Sequence, residues 1–342
     1  MKTLGLIFLF LSLSASNFAQ KNIFVNDCGF HESGLCGFNF AQTSLLVDNG
    51  QISQTPDVFE VRLPVLVLDK KKLPVGGLTK SNFVIFEDKK QQQITFFSDE
   101  KENPALFVGV LMDTSPSTAG KIKFSKEAAK NFLYTVTRPR KDQSAFVTFD
   151  HEVKMRQDFT DKLDLLDKAV DNVKEVGTQT SLYDAVYQFC DEKMRGAKGR
   201  HVIVLITDGD DTFSRADLND AIDIAQRTET TVFAISTKAG FSGSVPGVEA
   251  GTVKDRGDKE LVRLCEETGG EAFFTGDELL LERSLATISK QLRSQYVITY
   301  RPDNQNYDGT TRKIEVKLVA ADAKKYKLQT KTGYRATRDR IR

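Results

Sequence analysis

The sequence predicts an α/β protein: a doubly wound, mostly parallel sheet inserted in a small β-sandwich formed by the N- and C-terminal flanks of the chain. Three observations predict it. Between residues 105 and 293, apolar runs bounded by turn formers alternate with stretches of helical periodicity, the pattern of successive βαβ units. The main runs are apolar at nearly every position, as strands covered by helices on both faces need to be. Outside that segment, short alternating strands occur at both ends of the chain, and neither set alone buries enough for a stable core.

Composition narrows the function classes. The chain has 342 residues, 48 Lys and Arg against 47 Asp and Glu, and a formal charge of +1. That balance gives no long-range field for nucleic acid or an anionic membrane, so partner choice must be local. Residues 1–19 start with Met1-Lys2, run through an apolar core from Leu4 to Leu13 and end in Ser14-Ala15-Ser16-Asn17-Phe18-Ala19. This is the pattern of a secretory signal peptide cleaved after Ala19, since the apolar run is far short of the ~20 residues that span a bilayer. The residue directly after the cleavage point is Gln20 rather than a cysteine, so no lipid anchor is expected there, and no other stretch is long and apolar enough to span. The protein is expected to be exported, periplasmic or extracellular, with no membrane span. Export permits disulfides. Cys28 and Cys36 are close enough for a local bridge, whereas Cys190 and Cys265 fall on apolar faces of predicted helices and read as small buried hydrophobes. The cysteines and the scattered His31, His151 and His201 give no zinc spacing.

In chain order, residues 20–54 lack periodicity and read as a loosely structured leader. Within 55–102, residues 59–63 alternate, 65–68 follow, and Asp69-Lys70-Lys71-Lys72 makes a charged turn. Residues 82–86 and 94–97 flank Glu87-Asp88-Lys89-Lys90 as a hairpin. Within 105–293, strands are expected at 106–112, 145–149, 202–207, 231–236 and 272–274. Helical stripes include Phe124/Ala128/Phe132/Val136, Leu163/Leu166/Val170, Leu182/Ala185/Val186/Phe189, Leu218/Ala221/Ile222/Ala225, Leu261/Leu264/Cys265 and Leu281/Leu285/Ile288/Leu292. Within 294–336, residues 296–300, 313–318 and 326–329 read as strands, with a turn at Asn306-Tyr307-Asp308-Gly309. This last segment is expected to pair with 55–102 in one sandwich.

Ligands of open α/β sheets bind outside the carboxyl ends of the strands. The run from Phe107 to Met112 ends in Asp113-Thr114-Ser115-Pro116-Ser117, a carboxylate and two hydroxyls at alternate positions. A second run, His201 to Thr207, ends in Asp208-Gly209, where the glycine permits a tight turn beneath the carboxylate. Gly177-Thr178-Gln179-Thr180-Ser181-Leu182-Tyr183-Asp184-Ala185 puts threonines in a loop that opens a helix. All of these are hard oxygen donors, suited to Mg²⁺ with positions left for water or another molecule.

This ordered set resembles the metal-ion-dependent adhesion site of von Willebrand factor type A domains, over about residues 105–293. The flanks, with Leu78-Thr79-Lys80-Ser81-Asn82-Phe83, Phe86-Glu87-Asp88 and Leu292-Arg293-Ser294-Gln295-Tyr296, look like a group of exported bacterial type A proteins with β segments on both sides. The resemblance implies a divalent ion, usually Mg²⁺ with Mn²⁺ or Ca²⁺ as alternatives. It would be held by Asp113, Ser115, Ser117, a threonine and Asp208, with a vacant position for a carboxylate from a partner protein. Thr180 leads the run Thr-Ser-Leu-Tyr-Asp-Ala that matches the family's, and Thr178 is the runner-up. Pro116 is expected to stiffen the ligand loop. The resemblance also allows the last helix, 279–292, to shift and change affinity.

Simpler readings compete. Asp113, Ser115 and Ser117 alone would serve as a helix N-cap cluster. Asp210 and Asp211 read as a solvated turn, Ser214-Arg215-Ala216-Asp217 as a capping-box start to a helix, and Asp150 is ambiguous. The loop 240–257 lacks a phosphate-binding lysine pattern and reads as a flexible insertion. The function expected is an exported protein-binding module, not an enzyme. One alternative, a Mg²⁺-dependent phosphatase-like hydrolase, needs a second carboxylate two residues after its nucleophile, where Ser115 stands. A serine hydrolase lacks support, because Gly240-Phe241-Ser242-Gly243-Ser244 misses the final glycine of the nucleophile elbow. The other alternative is a structural envelope component whose ion only fixes loops.

Overall fold

Apolar runs that alternate with helical stripes need a sheet covered on both faces, and a computed structural model of the chain has one. It describes residues 60–99, 101–102, 104–174, 176–237, 256–275, 278–319 and 325–337. The expected signal peptide and leader, Cys28 and Cys36, and all but the end of the 240–257 loop lie outside the described residues.

The N-terminal flank forms β1 (Val61–Leu68), β2 (Phe83–Glu87), β3 (Lys90–Gln92) and β4 (Ile94–Ser98). The middle of the chain forms β5 (Leu106–Asp113), α1 (Ile122–Val136), β6 (Gln143–Phe149), β7 (Val153–Thr160), α2 (Leu163–Asp171), α3 (Leu182–Phe189), β8 (Arg200–Thr207), α4 (Leu218–Arg227), β9 (Thr230–Ser236), α5 (Arg256–Thr268), β10 (Ala272–Phe274) and α6 (Glu278–Arg293). The C-terminal flank forms β11 (Tyr296–Tyr300), β12 (Thr311–Leu318), β13 (Lys327–Gln329) and β14 (Gly333–Arg335).

The middle strands make a six-stranded sheet in the order β10-β9-β8-β5-β6-β7. All its pairs are parallel except that of β7 with β6. Side chains alternate between the faces of a strand, so each apolar run feeds two cores. Val108, Val110, Met112, Val204 and Ile206 pack under α1, α2 and α6. Leu111, Val147, Ile203 and Leu205 pack under α3, α4 and α5, with Cys190 and Cys265 buried there as free thiols. The central position of β5 and β8 makes their carboxyl ends the middle of the upper rim.

Strand β7 has no counterpart among the strands expected from sequence. Lys154, Arg156 and Asp158 break its apolar character, and they are tolerated because β7 is an edge strand, partly exposed along most of its length.

The flanks form two four-stranded sheets, β13-β1-β11-β4 and β14-β12-β2-β3, each built from both ends of the chain. They share one core, in which Val61, Leu63, Val65 and Ile298 meet Phe83, Ile85, Ile314 and Tyr334. Several details differ from expectation. The hairpin partner of β2 is β3, not residues 94–97, because the chain changes sheets at Gln93 and β4 pairs with β11. Residues 306–309 do not close a hairpin, since β11 and β12 lie in different sheets. Strand β14 is too short to be read from alternation. Strand β1 runs unbroken through Pro64, where β11 lies on one side but β13 reaches only Leu66–Leu68 on the other. The imino nitrogen therefore need not displace a ladder hydrogen bond.

Candidate metal centre

Parallel register sets the site. Met112 of β5 is level with Ile206 of β8, so Asp113 emerges beside Thr207 and Asp208 where the two strands end together. The Thr207 hydroxyl donates to Asp113 Oδ2 at 2.7 Å, and the Ser115 N–H donates to Oδ1 at 2.8 Å. The Ser115 and Ser117 hydroxyl oxygens are 3.0 Å apart. Ser115 stands at the N-cap position of a 3₁₀ turn, Pro116–Lys121, yet makes no side-chain cap bond. Thr118 does the local bonding instead, its hydroxyl donating to the Ser115 carbonyl at 2.8 Å. The two serine hydroxyls thus turn to one another, which a helix-cap cluster does not explain.

Asp113 is fully buried, and its carboxyl is pushed up to about 6. Desolvation is the main cause; bonds from Ser115 and Thr207 oppose it, and the nearby charge of Asp208 adds to it. Asp208 is itself buried. The next residue, Gly209, has φ of +88°, and its N–H donates to Thr207 Oγ1 at 3.1 Å. This left-handed turn folds the chain back directly after the carboxylate.

The third segment is tied to the other two. The Gly177 N–H donates to the Thr114 carbonyl at 2.8 Å, which joins the 176–181 loop to the Asp113 segment. The Thr180 N–H donates to Thr212 Oγ1 at 3.0 Å, and the Thr180 carbonyl accepts from the N–H groups of Thr212 and Phe213 at 3.0 and 2.9 Å. Thr180 is buried whereas Thr178 is exposed. The sequence-expected residues Asp113, Ser115, Ser117, Thr180 and Asp208 therefore lie on three loops that are hydrogen-bonded to one another at one rim.

Two expectations nearby are corrected. Asp211 is no solvated turn residue: its Oδ1 accepts from the Leu182 N–H at 2.8 Å, the Tyr183 N–H at 3.4 Å and the Ser214 hydroxyl at 2.6 Å, capping α3 from a distant loop. Ser214 therefore does not start the helix α4. Asp217 does, accepting from the Asp220 N–H at 2.9 Å in a capping box. Sequence reading also passed over Thr207 and Thr212, whose hydroxyls fix Asp113 and Thr180. The polar Thr207 at the end of an apolar strand was a visible signal, but its contact depends on strand register.

The five expected residues offer two carboxylates and three hydroxyls, all hard oxygen, and a buried carboxyl close to a second one would be relieved by a cation. The residues fit a divalent ion of the Mg²⁺ type. Among the described residues there is no cluster of three or more His, Cys, Asp or Glu side chains. A cleft of about 700 Å³, lined by Arg62, Phe96, Arg200 and Glu229, lies at the opposite, amino end of the strands.

Among curated proteins none matches the chain. Similar solved structures include an aerotolerance-related membrane protein from Bacteroides fragilis, 13% identical, covering 55% of this chain and 98% of that one, with a TM-score of 0.43. Proximal thread matrix protein 1 from the mussel byssus, with a zinc-occupied MIDAS motif, is 16% identical over 60% of this chain and 49% of its own, with a TM-score of 0.46. A von Willebrand factor type A protein from Catenulispora acidiphila is 13% identical over 83% of this chain and 76% of its own, with a TM-score of 0.43. The sequence model of the von Willebrand factor type A domain matches residues 108–289, more than half of the chain. The chain belongs to the von Willebrand factor type A domain family.

Proposed function

We propose that the chain is an exported protein-binding module that captures an acidic side chain of a partner protein through a divalent ion at the upper rim. The observation that carries the reading is the convergence of Asp113, the paired hydroxyls of Ser115 and Ser117, Thr180 and Asp208 on three interbonded loops. These five residues would hold the ion, with Thr180 favoured over Thr178 by its burial. Mg²⁺ is the ion the oxygen set suits best, with Mn²⁺ as a close substitute. When bound, such an ion supplies a Lewis-acidic position that a carboxylate can occupy. The surrounding face exposes Ser117, Val176 and Phe213, which gives a partner apolar as well as ionic contact.

In this reading, residues 105–293 form the type A domain, while 55–102 and 294–336 form the sandwich that carries it. The signal-like residues 1–19 support export. Family membership supports an interaction role, since type A domains are commonly interaction or adhesion modules. Ser115, at the place where a phosphatase needs its acid-base carboxylate, argues against catalysis. The test is capture from the native cell envelope by immobilised protein, with and without EDTA, and with Asp113→Ala. The proposal expects one set of proteins to be lost under both treatments. Equal capture in all three samples would sink it.

A further inference from the structure

Asp150, one residue past the end of β6, is buried yet belongs to no proposed ligand set, and it touches both neighbouring loops of the site. Its carbonyl accepts from the Ser181 N–H at 2.8 Å, which fixes the residue next to Thr180. The Thr114 hydroxyl donates to the Phe149 carbonyl at 3.2 Å and lies 3.5 Å from Asp150 Oδ2. Asp150 Oδ1 accepts from the Glu152 N–H at 2.9 Å and lies 2.9 Å from His151 Nδ1, while Lys154 Nζ is 4.0 Å from Oδ2. The side chain is therefore held from several directions.

Gly177 sits directly on this carboxylate. A Cβ there would come within 2.2 Å of Asp150 Cβ, 2.4 Å of Cγ and 2.6 Å of Oδ2. Its φ is not positive, so the glycine is needed for space rather than for backbone freedom. The same Gly177 donates to the Thr114 carbonyl. Asp150 thus forms the floor under the 176–181 loop, and Gly177 is the point at which the loop rests on it.

We propose that Asp150 is a positioning residue of the metal centre: with Gly177 it sets the height of the 176–181 loop, and so the place of Thr180 relative to Ser115 and Ser117. The inference rests on the proposed metal reading but concerns a residue that would not touch the ion. Residues that orient ligands from behind are worth about 10–100-fold in metal affinity.

The test is calorimetric titration of Mn²⁺ into the full chain. Asp150→Ala is expected to weaken binding at least about tenfold. Asp150→Asn, which keeps the shape and an accepting oxygen, is expected to stay within about threefold. Gly177→Ala, which pushes the loop up without touching any ligand, should weaken binding about as much as Asp150→Ala. Ser144→Ala, which removes a buried hydroxyl bonded to Thr137 Oγ1 at 2.7 Å near the far end of the same strand, is the structural control and should leave affinity unchanged. Affinity in Asp150→Ala and Gly177→Ala equal to that of the control would overturn the positioning role while leaving the metal reading intact. Absence of Mn²⁺ binding by the unaltered chain would overturn both. If Asp150→Ala does not fold, the comparison of Gly177→Ala with Ser144→Ala decides alone.

Discussion

Burial makes Asp113 costly to ionise without a cation, and this fixes how the site responds to pH. Its carboxyl is raised to about 6 in the folded chain, chiefly by desolvation, against about 3.9 when unfolded. A raised folded value means that the stabilising contribution is complete below about pH 4 and is lost as pH rises through about 6. The metal-free protein should lose about 3 kcal/mol across that window. A bound divalent ion competes with the proton, so the rise in melting temperature on adding Mn²⁺ should be small near pH 5 and grow toward pH 7. Calorimetric melting with and without Mn²⁺ measures it, and a Mn²⁺ effect independent of pH would contradict the assignment of Asp113. At the same scale, Asp211→Ala removes the distant cap of α3 and should cost about 1 kcal/mol, read as a downward shift of the denaturation midpoint.

Whole elements depend on packing that the sequence announces unevenly. The strands β5, β8 and β9 were legible because they are buried on both faces and carry an unbroken apolar signal. The helices were legible because their apolar stripes match the two cores, as Leu281, Leu285, Ile288 and Leu292 of α6 do. The edge strand β7 was not, because exposure removes the requirement for apolar residues. At the site, Asp113, Ser115 and Asp208 were visible as polar residues at the ends of apolar runs. Thr207, Asp211 and Asp150 act through contacts set by register and by loops far apart in sequence, which local pattern does not encode. The sandwich holds a further contact of this kind: Glu87 is buried between the sheets and accepts from the hydroxyls of Tyr300 at 2.6 Å and Tyr334 at 2.8 Å. Removing it strands two buried hydroxyls, so Glu87→Ala should cost roughly 2–4 kcal/mol. Glu87→Gln, which keeps an acceptor, should cost less in chemical denaturation.

Across the molecule, the flanks and the central domain are built together. Strands from both flanks close the sandwich, and the last of them are fastened to the central domain. Gln329 Nε2 donates to the Gly270 carbonyl at 3.2 Å, and the Thr332 N–H donates to the Glu267 carbonyl at 3.1 Å. The candidate metal centre sits at the carboxyl ends of the central strands, opposite the end that carries Arg200 and the lower cleft. Among the described residues no helix is long and apolar enough to cross a membrane. In the proposed reading the upper rim holds one divalent ion through Asp113 and its neighbours. Titration calorimetry of Mn²⁺ into the unaltered chain and into Asp113→Ala near neutral pH tests it most directly. The unaltered chain is expected to bind one ion and Asp113→Ala none; equal binding by both proteins, or none by either, would refute the metal site.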